Sequence, residues 1–113
     1  MEAERDRLAG FRSLMGTLVR KWTVEIMYCL YQNERMRFSE LRRLLKGVSS
    51  RTLSDRLREL EELGLVRREV FPEKPVRVEY MLTPGGRRVG EQAYQSLGRL
   101  VDVWQTEVGL KEG

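Results

Sequence analysis

The 113-residue chain has no histidine and one cysteine, Cys29. Lack of histidine removes the commonest general base and the commonest transition-metal ligand. It excludes a Ser–His or Cys–His nucleophile pair and any histidine-containing zinc site. A lone cysteine excludes an intrachain disulfide. No glycine-rich phosphate loop is present, since Gly85-Gly86 and Gly90 lack the strand-then-helix context and the spacing. No apolar run approaches the ~20 residues that cross a bilayer. The opening residues, Met1 to Arg7, alternate in charge where a signal peptide would be apolar. The expectation is a cytoplasmic protein without cofactor, metal or membrane partner. Carboxylates remain, but nothing arranges them as an acid–base pair, which disfavours an enzyme.

What the chain does contain is ordinary globular material, 41% hydrophobic and 34% charged. That suffices for one domain with a modest core. The net charge is +4. Its distribution says more than its size. Arg35, Arg37, Arg42, Arg43, Lys46, Arg51, Arg56 and Arg58 are opposed within their stretch only by Glu40 and Asp55, a local net of +6. The remainder of the chain is therefore slightly acidic, and the positive charge sits in one segment, as expected for a polyanionic partner.

Periodicity gives the elements in order. Leu8, Phe11, Met15 and Leu18 predict a helix over 4–19; Trp22, Ile26, Cys29 and Leu30 predict another over 21–32. Met36-Arg37-Phe38 reads as a short extended piece. Leu41, Leu44 and Leu45 mark a third helix, starting at Phe38 or Ser39 and stopping at Gly47. Ser49 or Ser50 caps a fourth helix, with Leu53, Leu57 and Leu60 as its stripe and Gly64 at its end. Residues 65–71 and 76–82 then alternate as strands, separated by Pro72-Glu73-Lys74-Pro75 as a hairpin tip. Thr83 caps and Pro84 opens a last helix over 84–108, with Val89, Ala93, Leu97, Leu100, Val101, Trp104 and Val108 along one side.

Helices three and four with their short turn form a helix-turn-helix, and the hairpin is placed as a wing. At about 100° per residue, Arg51, Asp55 and Arg58 lie opposite the leucines of helix four, with Thr52 and Ser54 on the flanks. These five are the candidate base-reading residues. Arginine can bridge guanine O6 and N7, hydroxyls can bond bases or phosphates, and Asp55 can accept from cytosine or orient Arg51. Arg37, Ser39, Arg42, Arg43, Lys46 and Ser50 are candidates for phosphates; Lys74 and Arg77, flanking the hairpin tip, are expected on the backbone or in the adjacent minor groove.

In this order the residues are similar to a known family. The strings Lys21-Trp22-Thr23, Arg37-Phe38-Ser39-Glu40-Leu41-Arg42, the run from Ser50 to Glu61, Gly64-Leu65-Val66, Pro75-Val76-Arg77-Val78-Glu79-Tyr80 and Leu82-Thr83-Pro84-Gly85-Gly86 resemble the HxlR-type winged helix-turn-helix transcriptional regulators, relatives of the MarR group. The resemblance implies a homodimer on a palindromic operator in double-stranded DNA, with the first and last helices forming the interface. It also implies, for several members, an oxidant-sensing cysteine near the N-terminus. Here residues 1–20 hold no cysteine, and Val19-Arg20-Lys21 stands where the family usually has glycine.

The resulting expectation is an α+β, mostly helical fold: a winged helix-turn-helix with a two-stranded wing and a long terminal helix for dimerisation. One domain spans 1–113, with a core over 18–83 and dimerisation helices over about 4–19 and 84–108. Leu8, Phe11, Met15, Ala93, Leu97, Leu100, Val101, Trp104 and Val108 are the candidate dimer residues. A helix of about 25 residues, roughly 37 Å long, outruns a domain this small, which favours an interface over packing within one protomer. Cys29 and Trp22 are expected in the core, and Glu59, Glu61, Glu62, Arg67, Arg68, Arg87 and Arg88 on the solvated surface. The alternative function is a winged-helix protein-interaction module without specific DNA readout. A small-molecule effector between the last helix and the core would fit the fold, but no residues point to one.

Overall fold

The leucine periodicity of the central segment becomes the core of the computed structural model, which describes residues 1–109. The last four residues of the expected domain lie outside that range. The elements are α1 (Glu2–Leu18), α2 (Thr23–Gln32), α3 (Phe38–Leu44), α4 (Ser50–Glu62), β1 (Val66–Phe71), β2 (Arg77–Leu82) and α5 (Pro84–Val108). Ile26, Leu30, Leu41, Leu53, Leu57 and Leu60 are almost completely buried. At about 1.5–3 kcal/mol for each buried aliphatic side chain, they dominate the stability of the unit. β1 and β2 pair antiparallel from Val66↔Leu82 to Phe71↔Arg77. Met36 adds an isolated bridge to Tyr80, tying the segment before α3 to the wing.

Local chemistry explains most boundaries. Ser49, not Ser50, caps α4; its hydroxyl accepts from the Thr52 amide at 3.0 Å. Of the two expected starts α3 takes Phe38, with Arg37 as N-cap residue and its amide donating to Glu40 Oε1 at 2.8 Å. α2 begins at Thr23, two residues later than the spacing suggests, because Trp22 adopts a left-handed backbone (φ 81°). That conformation is costly for a bulky residue. The indole is nevertheless packed against the core, beside Gly47. Leu44 departs from its expected stripe and is exposed, because α3 ends there and Leu45 turns inward instead. Gly85 and Gly86 lie in the first turn of α5, which follows β2 after Thr83 alone, so the strand-then-helix context denied by the sequence reading is present; Gly86 packs directly on the Leu65 backbone. Thr83 seals this junction, donating its hydroxyl to the Gly64 carbonyl and accepting from the Gly86 amide.

α1 and α5 stand apart from the core. No residue of α1 is buried, and α5 buries only Gly86. The radius of gyration is 16.4 Å, against about 13 Å for a compact chain of this size. Leu8, Phe11, Leu97, Leu100, Val101, Trp104 and Val108 are exposed, while Met15 and Ala93 are half-buried. An exposed 17-residue helix with apolar spacing has little reason to hold together in water alone. No helix is long and apolar enough to cross a membrane among the described residues.

Candidate nucleic-acid interface

With Leu53, Leu57 and Leu60 facing inward, the opposite side of α4 is turned to solvent. Ser50, Arg51, Ser54 and Arg58 are exposed, and Asp55 is half-buried. This matches the angular arithmetic. Two details differ from the sequence reading. Asp55 pairs with Arg58 at 3.0 Å, not with Arg51. Thr52 is half-buried and its hydroxyl oxygen accepts from Ser49 Oγ at 2.9 Å, so it belongs to the helix cap. Arg51 remains without a carboxylate or side-chain hydrogen bond among the described residues.

Around this face stand further cations. Arg37, Ser39, Arg42, Arg43 and Lys46 are exposed on and beside α3. Phe38, Ser39, Arg42 and Arg43 line one shallow cleft. Arg42 and Arg43 occupy the last turn of α3, where cations complement the helix dipole. Among the described residues none of Arg37, Arg42, Arg43, Lys46 or Lys74 has an ion-pair partner. Unpaired, solvated cations carry condensable charge to a polyanion without first breaking an internal pair.

Other basic residues are committed internally. Arg77, expected on the backbone or in the minor groove of a duplex, has its guanidinium against Glu73 and Glu79 and 3.8 Å over the Phe71 ring. Arg56 donates to the Lys21 carbonyl at 3.0 Å and pairs with Glu59, which also takes Arg20 at 2.8 Å. Glu59 is therefore no solvated residue: it joins α4 to the turn between α1 and α2. Arg87 is also drawn in, over Tyr31 and towards its carbonyl. Arg56 and Glu59 are one turn apart on α4, but the Arg20, Lys21 and Tyr31 contacts come from distant segments, which spacing along a helix cannot register.

Cys29 is buried in the core. Burial pushes its thiol above the usual range, and nearby Glu25 adds to the rise. A raised pKa means less thiolate at neutral pH, and thiolate is the reactive form. Native protein is expected to react with an aromatic disulfide reagent at least about a hundredfold more slowly than denatured protein. Comparable rates in stopped-flow labelling would contradict the buried assignment.

Residues 17–108 match the profile described as HxlR-like helix-turn-helix. Over 97 residues the chain is 40% identical to YvaP of Bacillus subtilis (strain 168), an uncharacterized HTH-type transcriptional regulator, covering 86% of this chain and 84% of that one. A MarR-family crystal structure from Enterococcus faecalis V583 superposes with a TM-score of 0.77 at 39% identity, covering 91% of this chain and 93% of the other. The reduced form of the transcriptional regulator YodB from B. subtilis superposes at 0.65 with 32% identity, over 83% and 86% of the two chains. The matches to several other relatives span about half the length of those proteins. Helix-turn-helix, wing and terminal helix thus agree with the sequence matches, and the chain belongs to the HxlR-like helix-turn-helix family.

Proposed function

We propose that this chain is a cytoplasmic, sequence-specific transcriptional regulator that binds double-stranded DNA as a homodimer on a palindromic operator. The observation that carries the reading is the outer face of α4: its leucines are buried while Arg51 and Arg58 are exposed, with the unpaired cations of α3 beside them. A helix so presented has the width and chemistry to enter a major groove. Arg51, Ser54, Asp55 and Arg58 read bases, with Asp55 setting the reach of Arg58. Ser39, Ser50, Arg37, Arg42, Arg43 and Lys46 hold phosphates, and Lys74 at the wing tip follows the adjacent backbone. Thr52 contributes by ordering the first turn. The dimer is built from α1 and α5, as the exposed stripe from Leu97 to Val108 suggests.

The test is selection from a random DNA pool followed by titration over a range of salt. Affinity should fall steeply with salt as phosphates are neutralised. Arg51→Ala should lose about 1–3 kcal/mol of discrimination at particular base pairs. Arg43→Ala should weaken all duplexes and reduce the salt slope by about 1 for the phosphate it no longer neutralises. Absence of DNA binding at low salt, with a stoichiometric protein partner captured instead, would replace this reading by that of a protein-interaction module.

A further inference from the structure

We propose that Arg35 and Glu79 are positioning residues that brace the wing against the helix-turn-helix and set where its tip falls on a duplex. The inference rests on the DNA-binding reading above and assigns roles to two residues outside the candidate interface.

The brace begins with the backbone. Met36 exchanges two hydrogen bonds with Tyr80, at 3.0 and 2.8 Å, docking the segment before α3 onto β2. Arg35 is thereby carried to the side of the sheet where Glu69 and Glu79 are direct cross-strand partners. Like charges at such a position destabilise a ladder. One guanidinium nitrogen of Arg35 lies 2.9 Å from Glu69 Oε2 and 3.3 Å from Glu79 Oε1. The other oxygen of Glu79 takes Arg77 at 2.6 Å, and Arg77 continues to Glu73 at the start of the hairpin tip. Arg67 reaches Glu69 at 3.6 Å. Three arginines and three glutamates thus form one neutral network from the entry of α3 to the tip of the wing.

Isolated surface ion pairs contribute little. This one differs in place: Glu79 is only 13% exposed, and it is held from two sides, by Arg35 of the segment before α3 and by Arg77 of its own strand. Burial pushes the Glu79 carboxyl upward, but hydrogen bonds from Arg77 and Arg35 outweigh it and hold the group below the usual carboxylate range. Glu79 is therefore ionised at neutral pH. Among the described residues, Arg35 supplies the side-chain ion pairs between the α3 entry and the wing, beside the two Met36–Tyr80 hydrogen bonds.

The test uses the full chain and two variants of opposite charge change, Arg35→Gln and Glu79→Gln. Amide hydrogen exchange is followed in residues 66–82 against α4 as internal reference. Binding is measured to an operator enriched from a random pool and to a mixed-sequence duplex, each over a range of salt. Both variants should speed exchange in the wing while α4 stays unchanged. Both should lower the ratio of operator to mixed-sequence affinity by roughly fivefold, the scale of removing one partly exposed charged pair. The salt slope of Arg35→Gln should equal that of the parent, because no phosphate contact is removed. Affinities that move in opposite directions with unchanged wing exchange would reduce the network to a charge effect and overturn the brace. A slope smaller by about 0.9 would make Arg35 itself a phosphate ligand, with the same consequence. A parent protein that binds neither duplex would sink the DNA-binding reading alone; the exchange measurement would still uphold or overturn the brace.

Discussion

A chain carrying both Leu100→Glu and Trp104→Glu is expected to sediment as a folded monomer and to bind its operator about 10² to 10⁴-fold more weakly than the parent, the factor by which linking two binding events exceeds one. In the single chain these side chains are 61% and 50% exposed. They share a helical stripe with Leu97, Val101 and Val108, and α1 offers Leu8 and Phe11, also exposed. An interface of standard size removes about 800 Å² from each partner. Two carboxylates at its centre would be desolvated without partners, and the association free energy would not survive that. The core should not notice, because α5 beyond Gly86 contributes no buried residue. Thermal unfolding checks that point; sedimentation equilibrium and operator titration check the rest. A variant that stays dimeric would place the contact elsewhere. A monomer that keeps full affinity would mean that one protomer reads the whole site.

Local signals in the sequence carried far in this fold. The stripe of Leu53, Leu57 and Leu60 alone orients α4, and a helix has only one opposite side, so the exposure of Arg51 and Arg58 follows without tertiary information. Thr83-Pro84 marks the start of α5 because cap and first-turn preferences depend on neighbouring backbone only. Trp22 shows where such reasoning ends. Its aromatic spacing fits α2, yet its left-handed backbone is a tertiary outcome, held by packing beside Gly47 and against the core.

The candidate site was legible as to type of residue and less so as to pairing. A count of charges treats Arg35, Arg56 and Arg77 like Arg51. In the fold, Arg35 and Arg77 are taken by wing carboxylates and Arg56 by Glu59 and the Lys21 carbonyl. Asp55 could reach Arg51 or Arg58 along the helix, and only the rotamers decide for Arg58. Charge density thus marked the candidate interface, while separating its free arginines from its paired ones required the contacts made in the fold, several of them between segments far apart in the chain.

Gly86→Ala should be among the most damaging single methyl additions available to this protein. A Cβ at that position would overlap the Leu65 carbonyl oxygen and lie 2.8 Å from its carbon, both backbone atoms. Neither can swing aside as a side-chain end would. The Leu65 carbonyl is also fixed, accepting from the Thr83 amide at 3.0 Å. Relief requires α5 to move away from the root of the wing, opening the Thr83–Gly64 and Gly86–Thr83 hydrogen bonds. The cost should be about 3 kcal/mol or more, at the upper end for overpacking. In a chain of this size that lowers the melting temperature by roughly 10–20 °C. Gly85→Ala is the matched control, since its nearest neighbour is the Thr83 hydroxyl at 3.9 Å. It adds the same methyl in the same turn, and it should melt within a few degrees of the parent, about the effect of a neutral helix substitution. The consequence reaches beyond stability. α5 leaves the wing at this contact and carries the proposed dimer stripe, so its angle here fixes the distance between the two α4 helices of a dimer. Palindromic half-sites one turn apart demand about 34 Å. Any folded fraction of Gly86→Ala should therefore tolerate a change of half-site spacing that the parent rejects. Equal melting curves for the two alanine variants would show that the junction yields without cost, and that the close approach of Gly86 to Leu65 sets nothing.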